Sequence, residues 1–129
     1  MAQASYLIDS NAVIDYLGNK LPISGMAFMD AIVDAIPIVS VITKIEILGF
    51  NAPAVHYALL SDFMNDARVL DLSPEVVDKT IALRKQHKTK LPDAIIVATA
   101  LVTNLVLISR NVEDFNAIAG LKVLNPHDR

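Results

Sequence analysis

Apolar residues along this chain fall into short blocks separated by polar punctuation. Tyr6-Leu7-Ile8 runs into Asp9-Ser10-Asn11, which predicts a strand and then a helix start. A short helix over 12–17 follows, stopped near Gly18. Residues 25–35 predict a second helix, with Met26, Met29, Ile32 and Val33 on one face. A buried strand over 37–40 leads into a helix over 41–50, and residues 54–64 predict another. A strand over 69–72 precedes Ser73-Pro74-Glu75, a strong helix start with Ser as N-cap and Pro at the first helical position. That helix should reach about His87 and turn Val76, Val77, Thr80, Ile81 and Arg84 to one side.

Leu91-Pro92-Asp93 opens the most apolar helix, 94–102, which Asn104 breaks. Residues 105–109 read as a strand with a continuous apolar run, as in parallel sheets. A short helix over 111–118 and a last strand over 121–124 complete the chain. Strands alternating with helices predict an α/β fold: one domain over 1–129, a short parallel β-sheet flanked by helices on both faces.

In such sheets ligands sit beyond the carboxyl ends of the strands. Four carboxylates fall there. Asp9 follows the first strand, and Glu46 lies on the helix after the second. Asp93 opens the helix leading to the fourth strand, and Asp114 lies in the first turn after it. Each admits a plainer reading. Asp9 can cap a helix. Glu46 can be solvated, although Ile45, Ile47 and Leu48 surround it. Asp93 suits any helix's first turn, and Asp114 with Asn111 resembles a cap pair. Their joint placement on one sheet edge favours a site. Asp15, Asp30, Asp34, Asp62, Asp66, Asp71, Glu75 and Asp78 read as ordinary surface charges.

Composition narrows the chemistry. The chain has 129 residues, 53% hydrophobic and 19% charged, and lacks cysteine. The apolar fraction excludes intrinsic disorder. The lack of cysteine excludes disulfides, cysteine zinc sites and thiol catalysis. His56, His87 and His127 lack ligand spacing. Neither GxGxxG nor GxxxxGK[ST] occurs, and no serine sits in G-x-S-x-G. The N-terminus has no basic n-region, so no signal peptide is expected. The longest charge-free run, 94–109, is shorter than the ~18–20 apolar residues of a spanning helix. No membrane association and a cytoplasmic location are expected. Clustered carboxylates repel one another, and a hard divalent cation such as Mg²⁺ or Mn²⁺ removes that cost.

Four segments resemble the PIN-domain family. YLIDSNAVIDYL resembles its first strand and helix, with an acidic residue at Asp9. SVITKIEILGF is similar to its Ser/Thr-x-x-Glu helix, with Glu46 and the hydroxyl of Thr43. KLPDAIIVATAL resembles its third acidic motif, at Asp93, and LVLISRNVEDF its fourth, at Asp114. The order and spacing match over roughly residues 6 to 125, and the size is similar to VapC-type toxins of toxin–antitoxin pairs. The resemblance implies a Mg²⁺- or Mn²⁺-dependent endoribonuclease acting on RNA, often tRNA or rRNA. A small antitoxin would hold it inactive, and the protein would be a homodimer. It implies that Asp9 and Asp93 hold the metal, with Glu46 and Asp114 acting directly or through water, supported by Thr43, Ser109 and Asn111. Ser109 stands where many members carry Thr. Asn111 stands where some carry a further Asp, and it can orient a water or cap a helix.

The net charge of -3 argues against nucleic-acid binding through overall charge. The basic residues are nonetheless gathered: RKQHKTK, holding Arg84, Lys85, Lys88 and Lys90, lies just before Asp93, and Arg110 lies beside the fourth motif. Arg84, Lys88 and Arg110 are candidate phosphate contacts. A solvated helix end accounts for RKQHK equally, and Arg84 has a third reading as a brace for a site carboxylate. The helices over 25–35 and 41–50 are a candidate groove for an antitoxin segment, or plain core. One rival function is a PIN-like partner-binding module without activity, motivated by Asn111. Another is a response-regulator-like domain, which the single Asp9 and the Arg110-Asn111 pair disfavour.

Overall fold

The computed structural model describes residues 5–129. The expectation that no leader precedes the domain falls partly on residues 1–4, outside the described residues. Five strands form one sheet: β1 (Tyr6–Ile8), β2 (Ile38–Ser40), β3 (Arg68–Leu70), β4 (Val106–Ile108) and β5 (Val123–Leu124). Their order is β3-β2-β1-β4-β5, and every pairing is parallel. Seven α-helices join them among the described residues: α1 (Ser10–Leu17), α2 (Ile23–Asp34), α3 (Val41–Leu48), α4 (Ala54–Asp66), α5 (Pro74–Gln86), α6 (Leu91–Thr103) and α7 (Val112–Phe115). A 3-10 turn, Pro126–Asp128, ends the chain. The expected parallel α/β architecture is the observed one.

The period-2 geometry of a strand explains the two cores. Leu7 and Leu107 point to one face and pack with Val76, Leu83, Ile96 and Phe115 from α5, α6 and α7. Ile8 and Ile108 point to the other and pack with Val13, Met29, Ile47 and Phe63 from α1, α2, α3 and α4. Both faces are dry, so the strands read as unbroken apolar runs. Helix α6 has seven consecutive buried residues, Ala94–Ala100, which makes it the central helix of its layer.

Helix starts follow local chemistry. Ser73 Oγ accepts the Val76 N–H and caps α5, whose first residue is Pro74. Ser40 Oγ accepts the Ile42 N–H at α3. Asn104 takes a left-handed conformation (φ 57°) and ends α6. The structure decides two points that the sequence left open. On α5 the buried residues are Val76, Thr80 and Leu83, while Val77, Ile81 and Arg84 are exposed, because α6 covers a narrower stripe than the apolar positions define. Asn111 precedes α7 without a side-chain capping bond, and α7 is one turn, Val112–Phe115, so it has little to cap.

The C-terminal 3-10 turn is packed onto α2. A Cβ on Gly25 would lie 2.2 Å from the Pro126 carbonyl oxygen. Arg129 stacks over the Phe28 ring at 4.4 Å. Gly25→Ala is expected to cost about 1–3 kcal/mol by overpacking, despite the ~1 kcal/mol better helix propensity of Ala. Urea denaturation of the variant measures this, and an unchanged midpoint would show that the turn is not clamped there.

Candidate functional site

The chain builds β1, β2 and β3 on one side of the sheet and then returns to place β4 and β5 on the other. Strand order therefore reverses between β1 and β4, and the carboxyl ends of these two strands frame the crevice where ligands bind in such sheets. Asp9 stands at that point. Its backbone N–H donates to the Ile108 carbonyl, 2.9 Å away. Asp9 is only 4% exposed.

Three donors meet the Asp9 carboxylate. Oδ1 accepts the Ser10 N–H at 2.8 Å, so Asp9 does cap α1 as the plainer reading held. Oδ2 accepts the Ser109 hydroxyl at 2.8 Å and the Asn11 amide at 3.2 Å. Ser109 is fully buried and is itself fixed by N–H groups: Asn11 Nδ2 at 3.2 Å and the Asn111 backbone at 3.1 Å. Burial pushes the Asp9 carboxyl above the usual carboxylate value. The Ser109 and Ser10 bonds oppose that rise, and the charges of Asp93 and Glu46 add to it.

Glu46 reaches the site from α3. Its Oε1 accepts the Ser10 hydroxyl at 2.6 Å, and that hydroxyl lies 3.2 Å from the buried Thr43 hydroxyl. Thr43 and Glu46 are three residues apart, so one helix face presents both. Asp93 sits half-buried in the first turn of α6. Its carboxyl is also raised, by burial first and then by Glu46 and Asp114, while Lys90 pulls it down. Asp114 is exposed on α7 and lines a cavity of about 380 Å³ with Arg110, Asn111, Glu113, Asn125 and Asp128.

The four carboxylates thus act on one another electrostatically at one end of the sheet. Among the described residues, no three acidic or histidine side chains stand at the spacing of a single metal's coordination sphere. Glu46 is held by Ser10 instead. The donors available are all oxygens, two of them on carboxyl groups that burial and like charge disfavour as anions. Such a set suits a hard divalent cation, which favours the ionised form.

Two candidate cations sit differently from expectation. Arg110 is spent internally: its guanidinium lies 3.2 and 3.3 Å from the two oxygens of Asp15. Arg84 braces no carboxylate, since among the described residues it forms no ion pair. Asp15 is 3% exposed, so its reading as a surface charge fails. It also meets His127 Nε2 at 2.8 Å, which ties α1 to the C-terminal turn. The signal was present: Asp15 is a lone carboxylate within AVIDYL, the same feature that marks Glu46. Ser10 and Asn11 also gain roles that sequence reasoning did not assign. Asn11 bridges Asp9, Ser109 and, through Oδ1, the Arg110 N–H at 3.1 Å. Two polar residues directly after a strand-end carboxylate were the clue.

A family model described as PIN domain matches residues 6–121. No curated protein matches the chain. Solved structures do. The chain is similar to one in a toxin–antitoxin complex from Klebsiella pneumoniae, at 30% identity and TM-score 0.74, covering 95% of this chain and 98% of that one. It shares its fold with a chain of DNA-bound VapBC from Salmonella typhimurium (22% identity, TM-score 0.79, 96% and 99% covered). The same holds for VapBC2 from Rickettsia felis bound to a promoter DNA fragment (18% identity, TM-score 0.78, 93% and 97% covered).

Proposed function

This chain belongs to the PIN domain family, and from that membership we propose that it is the VapC-type toxin of a toxin–antitoxin pair, a Mg²⁺- or Mn²⁺-dependent endoribonuclease that hydrolyses RNA phosphodiester bonds. The observation that carries this reading is the pair Asp9 and Asp93, both raised by burial and by neighbouring carboxylates at the reversal point of the sheet. A protein keeps such a destabilising arrangement where it is used.

Asp9 and Asp93 would hold the ion, with Glu46 and Asp114 contributing directly or through water. A divalent cation bound there supplies an activated water and stabilises the leaving oxygen of the phosphodiester. The chain's own part is orientation. Ser109 and Asn11 fix Oδ2 of Asp9, and the Ser10 N–H fixes Oδ1. Ser10 and Thr43 aim Glu46 toward the same end of the sheet. Asn111 borders the cavity beside Asp114, where it can bond to a water or to the RNA.

Partner binding fits the surface. Ile45 on α3, Phe50 in the following turn, and Val55 and Leu59 on α4 are exposed although α3 and α4 pack together. Exposed apolar side chains of this number suit a protein partner, here a small antitoxin or a second copy in a homodimer. No helix among the described residues is long and apolar enough to cross a membrane.

The test is cleavage of tRNA and rRNA by purified protein free of antitoxin. Activity should require Mg²⁺ or Mn²⁺ and vanish in EDTA, and sequencing of RNA ends after induction should reveal discrete cuts. Cleavage that survives EDTA overturns the metal mechanism. Tight Mn²⁺-independent capture of a partner, with no cleavage under any condition, favours the inactive binding module.

A further inference from the structure

The turn between α5 and α6 holds a second concavity. Arg84, His87, Lys88, Thr89 and Lys90 line a cavity of about 450 Å³. Among the described residues, Arg84, Lys88 and Lys90 take part in no ion pair. Arg110, in contrast, is committed to Asp15.

A solvated helix end does not account for this group. The dipole of α5 favours Arg84 and Lys85, which lie in its last turn. Lys88 and Lys90 lie beyond that helix. Lys90 occupies the N-cap of α6, the positive end of a 13-residue helix, where a cation is disfavoured. An N-cap normally supplies a side-chain acceptor, and here none is supplied. The hydroxyl oxygen of Thr89 is buried, and it is the unpartnered buried side-chain polar atom among the described residues. Leaving such a group unpaired costs about 1–3 kcal/mol. Cations, an uncapped helix start and an unpaired hydroxyl at one place are together what an oxyanion satisfies.

We propose that this cavity binds one backbone phosphate of the RNA, away from the bond that is cut, and so fixes the strand relative to the acidic site. The proposal rests on the nuclease reading and deepens it. Lys90 joins the two sites: it lines the cavity and stands three residues before Asp93, on which its charge acts. The arrangement places the positive potential beside the carboxylates rather than over the whole surface, which reconciles RNA binding with a net charge of -3.

The experiment is binding of a fluorescently labelled single-stranded RNA in EDTA, by anisotropy, over a series of salt concentrations. Wild type is compared with Arg84→Ala/Lys88→Ala, whose side chains are exposed, and with Lys122→Ala as a remote exposed control. Circular dichroism checks that all three are folded. The double variant should bind more weakly, and its slope of log K against log salt should be shallower by about 0.7 per contact removed. Lys122→Ala should keep the wild-type slope. With Mg²⁺ present, the double variant should raise KM and leave kcat near wild type. A wild type that binds and cleaves RNA, with a double variant of the same slope and KM, overturns the cavity alone. A wild type that neither binds nor cleaves RNA overturns the nuclease reading as well.

Discussion

Asp93→Asn is expected to abolish RNA cleavage and at the same time to make the fold more stable. Outer-shell partners of a metal ligand typically contribute 10–100-fold, so if Asp93 holds the ion as proposed, its loss should cost more than about a hundredfold in rate. The stability gain follows from the sign of the pKa shifts. Asp9 and Asp93 both lie above the usual carboxylate value in the folded chain. The folded state therefore holds protons more tightly than the unfolded one. Stability is greatest below the unfolded carboxylate value and falls as pH rises through the raised folded values. At neutral pH the burial cost at Asp93 and its repulsion with Glu46 and Asp114 act in full, and Asn removes both. Thermal unfolding in EDTA between about pH 4 and 8 separates the contributions. Wild type and variant should converge at the acid end and diverge toward neutrality, with the variant higher. Mn²⁺ should raise the wild-type Tm and leave the variant nearly unmoved. A variant that melts below wild type at neutral pH would show that the carboxylates do not strain the fold.

Arg110→Ala should be the most destabilising change at a residue whose side chain is half exposed. The Arg110 side chain is 54% exposed, but the Asp15 carboxylate that it clamps is 4% exposed. Removing one partner of a buried pair costs about 3–5 kcal/mol, because the other charge stays behind. Partial solvation of Arg110 and the second contact from His127 place the expected loss near the low end, about 3 kcal/mol. A single nitrogen, Nη1, makes both contacts, so Arg110→Lys should recover part of it, limited by the shorter reach of the lysine side chain rather than by loss of a fork. Chemical denaturation of the two variants provides the measurement. If Arg110 instead serves mainly as a phosphate contact, Arg110→Ala will keep wild-type stability and weaken RNA binding.

These two residues show what could be read from the sequence. The place of Asp93 in the first turn of α6 was legible because its signals are local: a Pro-Asp helix start and an apolar run behind it. The same holds for Asp9, Glu46 and Asp114, and for the Ser73-Pro74 helix start, whose cap needs only residues three apart. The pairing of Arg110 with Asp15 was not legible, because the two residues are 95 apart in sequence. An Arg beside an acidic motif fits a phosphate contact and a structural clamp equally until that partner is known. Which part of that side of α5 is buried was not legible for a related reason. Apolar spacing marked a broad stripe, and only the packing of α6 decided which part of it is dry.

What the sequence determined by itself is the class of the fold and the carboxylate inventory. Helix and strand periods and helix starts are properties of neighbouring residues, and burial of both sheet faces is written in the unbroken apolar strands. What tertiary structure decided is pairing. Parallel register sets Ile8 against Ile108, which brings the Ser109 hydroxyl onto Asp9 from a hundred residues away. The approach of α3 to α1 gives Glu46 to Ser10, and the C-terminal turn gives His127 to Asp15. Hydrogen bonds and ion pairs act over a few ångströms, and only the folded chain sets those distances between residues far apart in sequence.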